Sequence, residues 1–142
     1  MTNQTLSDKD RKEIVIYRIE KARQTYLEAV AGINGGFVGT AANRLYYAAY
    51  YAVTALLISD GIAVRTHDGV RRMLGLHYLK TGLLDKNAGQ TFNLLFSLRI
   101  TGDYQDRKNL DMESDVKPLV EPAKDLIEKA VKKAEENISN IK

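Results

Sequence analysis

The chain has 142 residues, which is enough for one domain, residues 1–142, that buries a core without metal or disulfide support. It contains no cysteine, which excludes disulfide frameworks, thiolate zinc sites and thiol nucleophiles. The formal net charge of +3 is too small to indicate a nucleic-acid partner by itself.

Helical spacing of apolar residues predicts an all-α chain whose first helix begins after Ser7, a residue type suited to helix capping. We expect this helix to end near Ala31, because glycines follow at 32, 35, 36 and 39. Three-and-four spacing gives it a buried face that comprises Ile16, Ile19, the stem of Arg23, Tyr26, Leu27 and Val30.

The second helix should cover about 37–60 and end at Gly61. It is apolar on nearly all sides, which predicts a central helix with several neighbours. Its longest apolar run, 45–59, is shorter than the roughly 20 residues of a membrane span. That length and the polar start predict a cytoplasmic protein with no membrane partner.

Thr66 is a suitable cap for a third helix that reaches about Lys80 and stops at Gly82. We expect a fourth helix from near Asp85 to Arg99, ended by Gly102, and then a polar loop over 103–113.

The last helix should begin at Ser114, with Pro118 in its opening turn and a kink or split at Pro122. Its packed stripe comprises Leu126, Ile127, Ala130, Val131, Ala134 and Ile138. Five helices with short connections predict an up-and-down bundle.

The second helix carries an arginine among tyrosines, in the segment Asn43-Arg44-Leu45-Tyr46-Tyr47-Ala48-Ala49-Tyr50-Tyr51. Burying Arg44 costs several kcal/mol unless an anion, a carboxylate or an aromatic face meets it. Arg44, Tyr47 and Tyr51 share one face of the helix. A tyrosine stripe is also typical of core packing or of a dimer seam, and Arg44 is what favours an anion site.

A second arginine, Arg99, closes an apolar run and precedes Gly102-Asp103-Tyr104. Arg99 and Asp103 could form an ordinary ion pair at a helix end, worth about 0.3–0.5 kcal/mol when exposed. The alternative is a guanidinium group that binds a phosphodiester, which suits its bidentate geometry and permanent charge.

Histidines and a basic segment complete the candidate groups. His67 would lie in the first turn of the third helix, where the helix dipole disfavours imidazolium and favours a nearby anion. His77 is expected to be structural, and two separated histidines without a carboxylate motif predict no metal site. The basic segment 65–80 is compatible with an exposed helix surface as well as with an anion partner.

Together, Asn43-Arg44-x-Tyr46-Tyr47-Ala48, Thr66-His67 and Arg99 with Gly102-Asp103-Tyr104 resemble the HEPN family. These are small prokaryotic helical domains, often encoded beside minimal nucleotidyltransferases. The resemblance implies a helical bundle that forms a homodimer and binds nucleotide or RNA without a cofactor. In some members it also implies metal-independent ribonuclease activity, as the toxin of a toxin–antitoxin pair.

The sequence departs from the family's ribonuclease motif, an arginine followed after four to six residues by histidine. After Arg99, those positions read Tyr104, Gln105 and Asp106. The reference pKa of tyrosine is about 10 against about 6.5 for histidine, so a phenol is a poor general base at neutral pH. His67 is the candidate that could supply the missing imidazole.

The predicted site therefore uses Arg44 and Arg99 for phosphate, Asp103 to orient an arginine, and Tyr47 or Tyr104 for base stacking or hydrogen bonding. Tyr51 is a further candidate nucleotide- or RNA-binding residue. If the chain cleaves RNA, Arg99, Tyr104 and His67 are the candidate catalytic residues. The alternative is a non-catalytic helical dimer whose tyrosine surface docks another protein and whose arginines are paired structural charges.

Overall fold

The computed structural model describes residues 6–104 and 110–141, except for the side chain of Tyr104. Over these residues the chain forms five α-helices and no strand, which confirms the predicted all-α bundle. The helices are α1 (Asp8–Gly35), α2 (Val38–Ser59), α3 (His67–Leu74), α4 (Lys86–Tyr104) and α5 (Val120–Ser139). A π-helical turn, Gly75–Leu79, extends α3, and a π-helical turn, Met112–Val116, and a 3₁₀ turn, Lys117–Leu119, lead into α5.

Helix α2 is the centre of the bundle, as its apolar sequence predicted. It packs against α1, α4 and α5, and most of its residues are buried. Tyr46, Leu45, Leu56 and Leu57 of α2 are among the largest fully buried side chains, together with Phe92 of α4. A helix buried on several sides holds its polar side chains in fixed surroundings, so the position of Arg44 is determined by its neighbours.

Helix α1 begins as predicted, because the Ser7 hydroxyl accepts a hydrogen bond from the amide of Asp10 at 3.1 Å. The predicted end near Ala31 is wrong, since α1 continues to Gly35 and the chain turns at Gly36, where φ is +77°. Gly32 is needed for contact instead: a Cβ there would lie 3.1 Å from the Ala41 backbone nitrogen. This glycine therefore brings α1 and α2 together rather than ending α1.

The predicted buried face of α1 is only partly right: Ile19 is buried, and Tyr26 and Val30 are partly buried. Ile16 and Leu27 are 40% and 62% exposed, and Arg23 is exposed as well. The close approach of α2 favours small side chains on the buried face, so it contains Val15, Ile19, Ala22, Thr25, Ala29 and Gly32. The helical periodicity predicted the helix itself. The inner face was assigned to the large apolar residues, whereas the buried residues are mostly small and lie on a different side of the helix.

Helix α4 starts after Asp85, close to the prediction, and Asp85 accepts a hydrogen bond from the Asn87 amide at 3.0 Å. Gly102 does not end it, because the helix continues to Tyr104. A Cβ at Gly102 would lie 3.1 Å from Leu110 Cδ1, so glycine leaves room for the Leu110 side chain, while Ala42 Cβ and Gly39 Cα of α2 would be at ordinary contact distances of 3.6 and 3.8 Å. Asp103 consequently lies on a helix and not in the predicted loop, whose residues 105–109 are outside the described part.

The start of the last helix also differs from the prediction. Ser114 lies within the π-helical turn, where Asp111 accepts from its amide at 2.9 Å, and α5 begins only at Val120. Pro122 then falls in the first turn of α5, where its missing N–H costs no helical hydrogen bond, and α5 is continuous from Val120 to Ser139, so the predicted split at this residue is wrong. Pro118 lies in the 3₁₀ turn. The predicted packed stripe of α5 is confirmed, since all six residues are buried.

No helix in the described ranges is both long enough and apolar enough to cross a bilayer.

Candidate functional site

Arg44 has the partners that a half-buried arginine requires. Its Nε and Nη2 donate to Asn43 Oδ1 at 2.9 and 2.6 Å, and its Nη1 donates to Glu28 Oε1 at 3.3 Å. Its guanidinium carbon lies 5.6 Å from the centroid of the Tyr47 ring. A carboxylate and an aromatic face thus offset the cost of removing this charge from water.

Arg99 lies on the same tyrosine. Its Nε donates to Asp103 Oδ2 at 3.1 Å, and its guanidinium carbon is 5.2 Å from the Tyr47 ring centroid and 5.9 Å from that of Tyr46. The side chains of Arg99 and Asp103 are only 17% and 25% exposed. This pair is therefore more shielded from water than the exposed helix-end pair of the alternative interpretation.

The two arginines are joined by a hydrogen bond between helices. Asn43 Nδ2 donates to Asp103 Oδ2 at 3.1 Å, while Asn43 Oδ1 accepts from Arg44. We refer to Asn43, Arg44, Tyr47, Arg99 and Asp103 as the arginine–tyrosine cluster. The packing of α4 against α2 brings these side chains within reach of one another.

His67 contacts the neighbouring tyrosine. Its Nδ1 lies 2.8 Å from the Tyr46 hydroxyl, and its ring stacks on Phe96 with centroids 3.5 Å apart. Burial raises the pKa of the Tyr46 hydroxyl, so the phenol stays protonated and donates to Nδ1. Neutral His67 must then carry its proton on Nε2.

Burial, with a further contribution from the Arg71 charge, lowers the pKa of His67. The charge of Arg99 acts in the same direction, while that of Asp68 raises the pKa. His67 and Arg99 both contact Tyr46, one through its hydroxyl and the other over its ring. His67 is thereby placed beside the cluster and is neutral at pH 7.

Tyr51, a further predicted nucleotide- or RNA-binding residue, has its ring centroid 6.1 Å from that of Tyr47. Two cations from α1 lie near it, with the Arg18 guanidinium carbon at 5.8 Å and Lys21 Nζ at 6.0 Å from the ring centroid. Neither cation was predicted from the sequence, because the apolar pattern placed the inner face of α1 elsewhere on the helix. The side chain of Tyr104, a predicted catalytic group, lies outside the described part of the chain.

The basic segment 65–80 lies at the surface, where Arg65, Arg71, Arg72 and Lys80 are exposed and Arg71 pairs with Asp68 at 3.0 Å. His77 is half-buried in the π-helical turn. Within the described ranges, no three His, Asp or Glu side chains come together as a group that could hold a metal ion.

The protein is thus an all-α helical bundle that carries an arginine–tyrosine cluster between α2 and α4. The family profile described as "HEPN domain" matches residues 15–139, and the chain belongs to the HEPN family. A "UPF0332 protein" from Thermotoga maritima is 32% identical over 125 residues, which cover 86% of this chain and 94% of that protein.

Two further relatives come from Methanocaldococcus jannaschii. The protein named "Putative toxin MJ0142" is 37% identical over 87 residues, which cover 61% of this chain and 58% of that protein. The one named "Putative toxin MJ0605" is 28% identical over 110 residues, covering 78% of this chain and 82% of that protein.

Proposed function

We propose that this HEPN chain binds RNA and acts as the toxin-like component of a pair with a minimal nucleotidyltransferase. The observation that carries the proposal is the convergence of Arg44 and Arg99 on the Tyr47 ring. Guanidinium groups bind phosphate oxygens in a bidentate manner, and an aromatic ring beside them offers a stacking surface for a base. The names of the two archaeal relatives support the toxin-like role.

The phosphate contacts can be tested by the salt dependence of RNA binding. Affinity of purified protein for labelled single-stranded RNA should fall with salt, because each phosphate contact contributes about 0.7 to the slope of the log–log plot. Arg99→Gln and Arg44→Gln should each lower affinity and reduce that slope. Arg23→Gln is the matched control, since Arg23 is an exposed arginine that pairs with Glu135. An affinity for RNA that does not change with salt concentration would contradict the proposal. Equal losses of affinity in all three variants would contradict it as well.

Cleavage of RNA is the finer part of the proposal. The ribose 2′-hydroxyl would lose its proton to a base and attack the adjacent phosphorus, and the 5′-oxygen would leave with a proton. The arginines would stabilise the negative charge that develops on the phosphate oxygens. The chemistry requires no metal, so incubation with RNA in EDTA tests it directly. Cleavage that persists in Arg99→Ala would remove Arg99 from the mechanism.

His67 and Tyr104 are the proposed candidates for the base. The lowered pKa of His67 keeps its imidazole neutral at pH 7, but Nδ1 is already occupied by Tyr46, so Nε2, which carries the proton, is the atom left for the site. In that state Nε2 can donate a hydrogen bond to a phosphate oxygen, but it cannot abstract a proton, and complete transfer of its own proton would leave an unfavourable imidazolate. Tyr104 remains the candidate base, but a phenol can act as a base near pH 7 only if its pKa is lowered. We therefore expect any cleavage of RNA to be slow.

A homodimer and a nucleotidyltransferase partner belong to the same proposal. The dimer is tested by light scattering of the purified chain. The partner is tested by co-expression with a nucleotidyltransferase from the adjacent reading frame, followed by affinity purification of the pair. Recovery of the HEPN chain alone would argue against the partner.

The pairing of both arginines with carboxylates favours a second candidate, a non-catalytic dimer that docks a protein. Glu28 and Asp103 neutralise Arg44 and Arg99 without any ligand. Under this alternative, association with the partner would be insensitive to salt, and RNA would not compete for it.

A further inference from the structure

Helices α1 and α2 run antiparallel, with side chains paired in a regular order along their shared edge. Proceeding toward the start of α1, Glu28 contacts Arg44, then Lys21 approaches Tyr51, and then Arg18 donates to Thr54 Oγ1 at 3.1 Å. The partners on α2 follow in the same order toward its end. The edge beyond the arginine–tyrosine cluster is therefore built from Arg18, Lys21 and Tyr51, which we call the Tyr51 subsite.

The charge balance differs between the cluster and this subsite. Both arginines of the cluster are in ion pairs, Arg44 with Glu28 of α1 and Arg99 with Asp103. Within residues 6–104 and 110–141, no carboxylate oxygen comes within the 4.0 Å of an ion pair to Arg18 or Lys21. Arg18 and Lys21 thus bring to this edge positive charge that no described carboxylate offsets at ion-pair distance.

The subsite is held in place although it is partly exposed. Thr54 Oγ1 accepts from Arg18 and itself donates to the Tyr51 carbonyl oxygen at 3.1 Å, which fixes the arginine beside the ring. Tyr51 and Tyr47 are one helical turn apart, with ring centroids 6.1 Å apart and planes inclined by 37°. Both rings are half-exposed, and each has two cations near its face: Arg44 and Arg99 at Tyr47, and Arg18 and Lys21 at Tyr51. The same combination of aromatic ring and positive charge thus occurs twice along α2.

We propose that the Tyr51 subsite binds the phosphate backbone of a single-stranded RNA that continues from the arginine–tyrosine cluster. Arg18 and Lys21 contact the phosphate, and Tyr51 stacks on a base. Single strands fit this surface because their bases are available for stacking on aromatic side chains, whereas duplex bases are not. The inference rests on the proposed RNA binding and extends it to a second position along the strand.

The first test is the salt dependence of binding to a labelled single-stranded decanucleotide. Replacing both α1 cations, in Arg18→Gln/Lys21→Gln, should weaken binding and reduce the log–log slope. The reduction should be about 1.4 if the cations contact two phosphates and about 0.7 if they share one. The matched control is Lys124→Gln/Lys132→Gln, which removes the same charge from the cleft between α1 and α5. This control should leave the slope unchanged.

The outcomes separate the inference from the proposed function. In one outcome, wild-type protein binds the RNA and Arg99→Gln weakens that binding, but Arg18→Gln/Lys21→Gln leaves affinity and slope unchanged. That result would overturn the assignment of RNA to the Tyr51 subsite and leave the proposed function standing. Equal losses in the α1 and control variants would also overturn the subsite, because they would reflect net charge alone. If wild-type protein shows no salt-dependent binding, both fail. A thermal melt of each variant checks that it is folded.

The second test addresses stacking, with 2-aminopurine at successive positions of the decanucleotide. Stacking on a tyrosine quenches the fluorescence of 2-aminopurine. Binding should therefore reduce the 2-aminopurine fluorescence at the position that stacks on Tyr51. Tyr51→Leu keeps an apolar side chain for packing but removes the ring, and should restore the signal at that position alone. An unchanged quenching profile in Tyr51→Leu would overturn the assignment of a base to this ring.

Discussion

The side-chain nitrogen Nδ2 of Asn43 on α2 donates to the carboxylate of Asp103 on α4 at 3.1 Å, and this contact links the two arginines of the site. The carbonyl oxygen of the same amide accepts from Arg44, and the same carboxylate oxygen accepts from Arg99. Neither arginine is therefore oriented by its own helix alone. The positions of the two guanidinium groups depend on how closely α2 and α4 approach.

A double-mutant cycle on Asn43→Ala and Asp103→Ala should give a coupling free energy of about 1 kcal/mol. A hydrogen bond to a charged group is worth about 1.5–3 kcal/mol, and partial exposure of Asp103 reduces the value. Urea unfolding of the two single variants and the double variant measures it. The control cycle is Arg23→Ala with Glu135→Ala, an exposed pair that should couple by less than about 0.5 kcal/mol. Equal coupling in both cycles would contradict the role of the Asn43 contact.

Two glycine-to-alanine substitutions should change stability in opposite directions. A Cβ at Gly32 would lie 3.1 Å from the Ala41 nitrogen and 3.3 Å from its Cα, so backbone must move and Gly32→Ala should cost about 1–3 kcal/mol. A Cβ at Gly75 would meet no atom within 4 Å outside its own stretch of helix, and φ is −60°. Gly75→Ala should therefore stabilise by about 0.4–1 kcal/mol. Midpoints of thermal or urea unfolding decide both signs, and a stable Gly32→Ala variant would show that the contact between α1 and α2 is looser than described.

His67 should make stability depend on pH below neutrality. Its folded pKa is lowered, so the unfolded chain binds more protons in this range. The contribution is complete above the unfolded pKa of about 6.5, and it is lost as pH falls through the folded pKa. The free energy of unfolding should thus decrease on acidification below about pH 6.5.

His67→Phe is the variant that isolates this effect. It keeps an aromatic ring to stack on Phe96, but it removes the titrating group and the hydrogen bond from Tyr46. The part of the pH dependence that belongs to His67 should disappear. His77→Phe, at the half-buried histidine of the π-helical turn, serves as the control. If the two variants show the same pH profile as the wild type, His67 does not titrate with a lowered pKa.

Tyr104→His should increase ribonuclease activity, because it restores a histidine at the spacing that the family resemblance implies. An imidazole with a pKa near 6.5 is a far better general base at neutral pH than a phenol. Initial rates on labelled RNA in EDTA measure the gain. The control is Tyr104→His combined with Arg99→Ala, which should abolish it. Activity that falls in Tyr104→His would show that the phenol itself takes part in the reaction.

The sequence predicted the helices better than the surfaces they present. The Ser7 and Thr66 caps and the central position of α2 follow from local rules, and the structure confirms them. The inner face of α1 was only partly predicted, because it is set by the neighbouring helix. Gly102 does not end α4 for a similar reason, since its lack of a side chain makes room for Leu110, which lies beyond the helix.

By itself, the sequence determined the all-α class, the family and the residue types of the candidate site, because capping, periodicity and short motifs depend on residues near each other in the chain. Only the tertiary structure decided that Arg44 and Arg99 share the Tyr47 ring and that Arg18 and Lys21 lie beside Tyr51. These relationships join different helices. They arise from the distance and rotation at which helices pack, which depend on side-chain volumes at contacts such as Gly32 with Ala41.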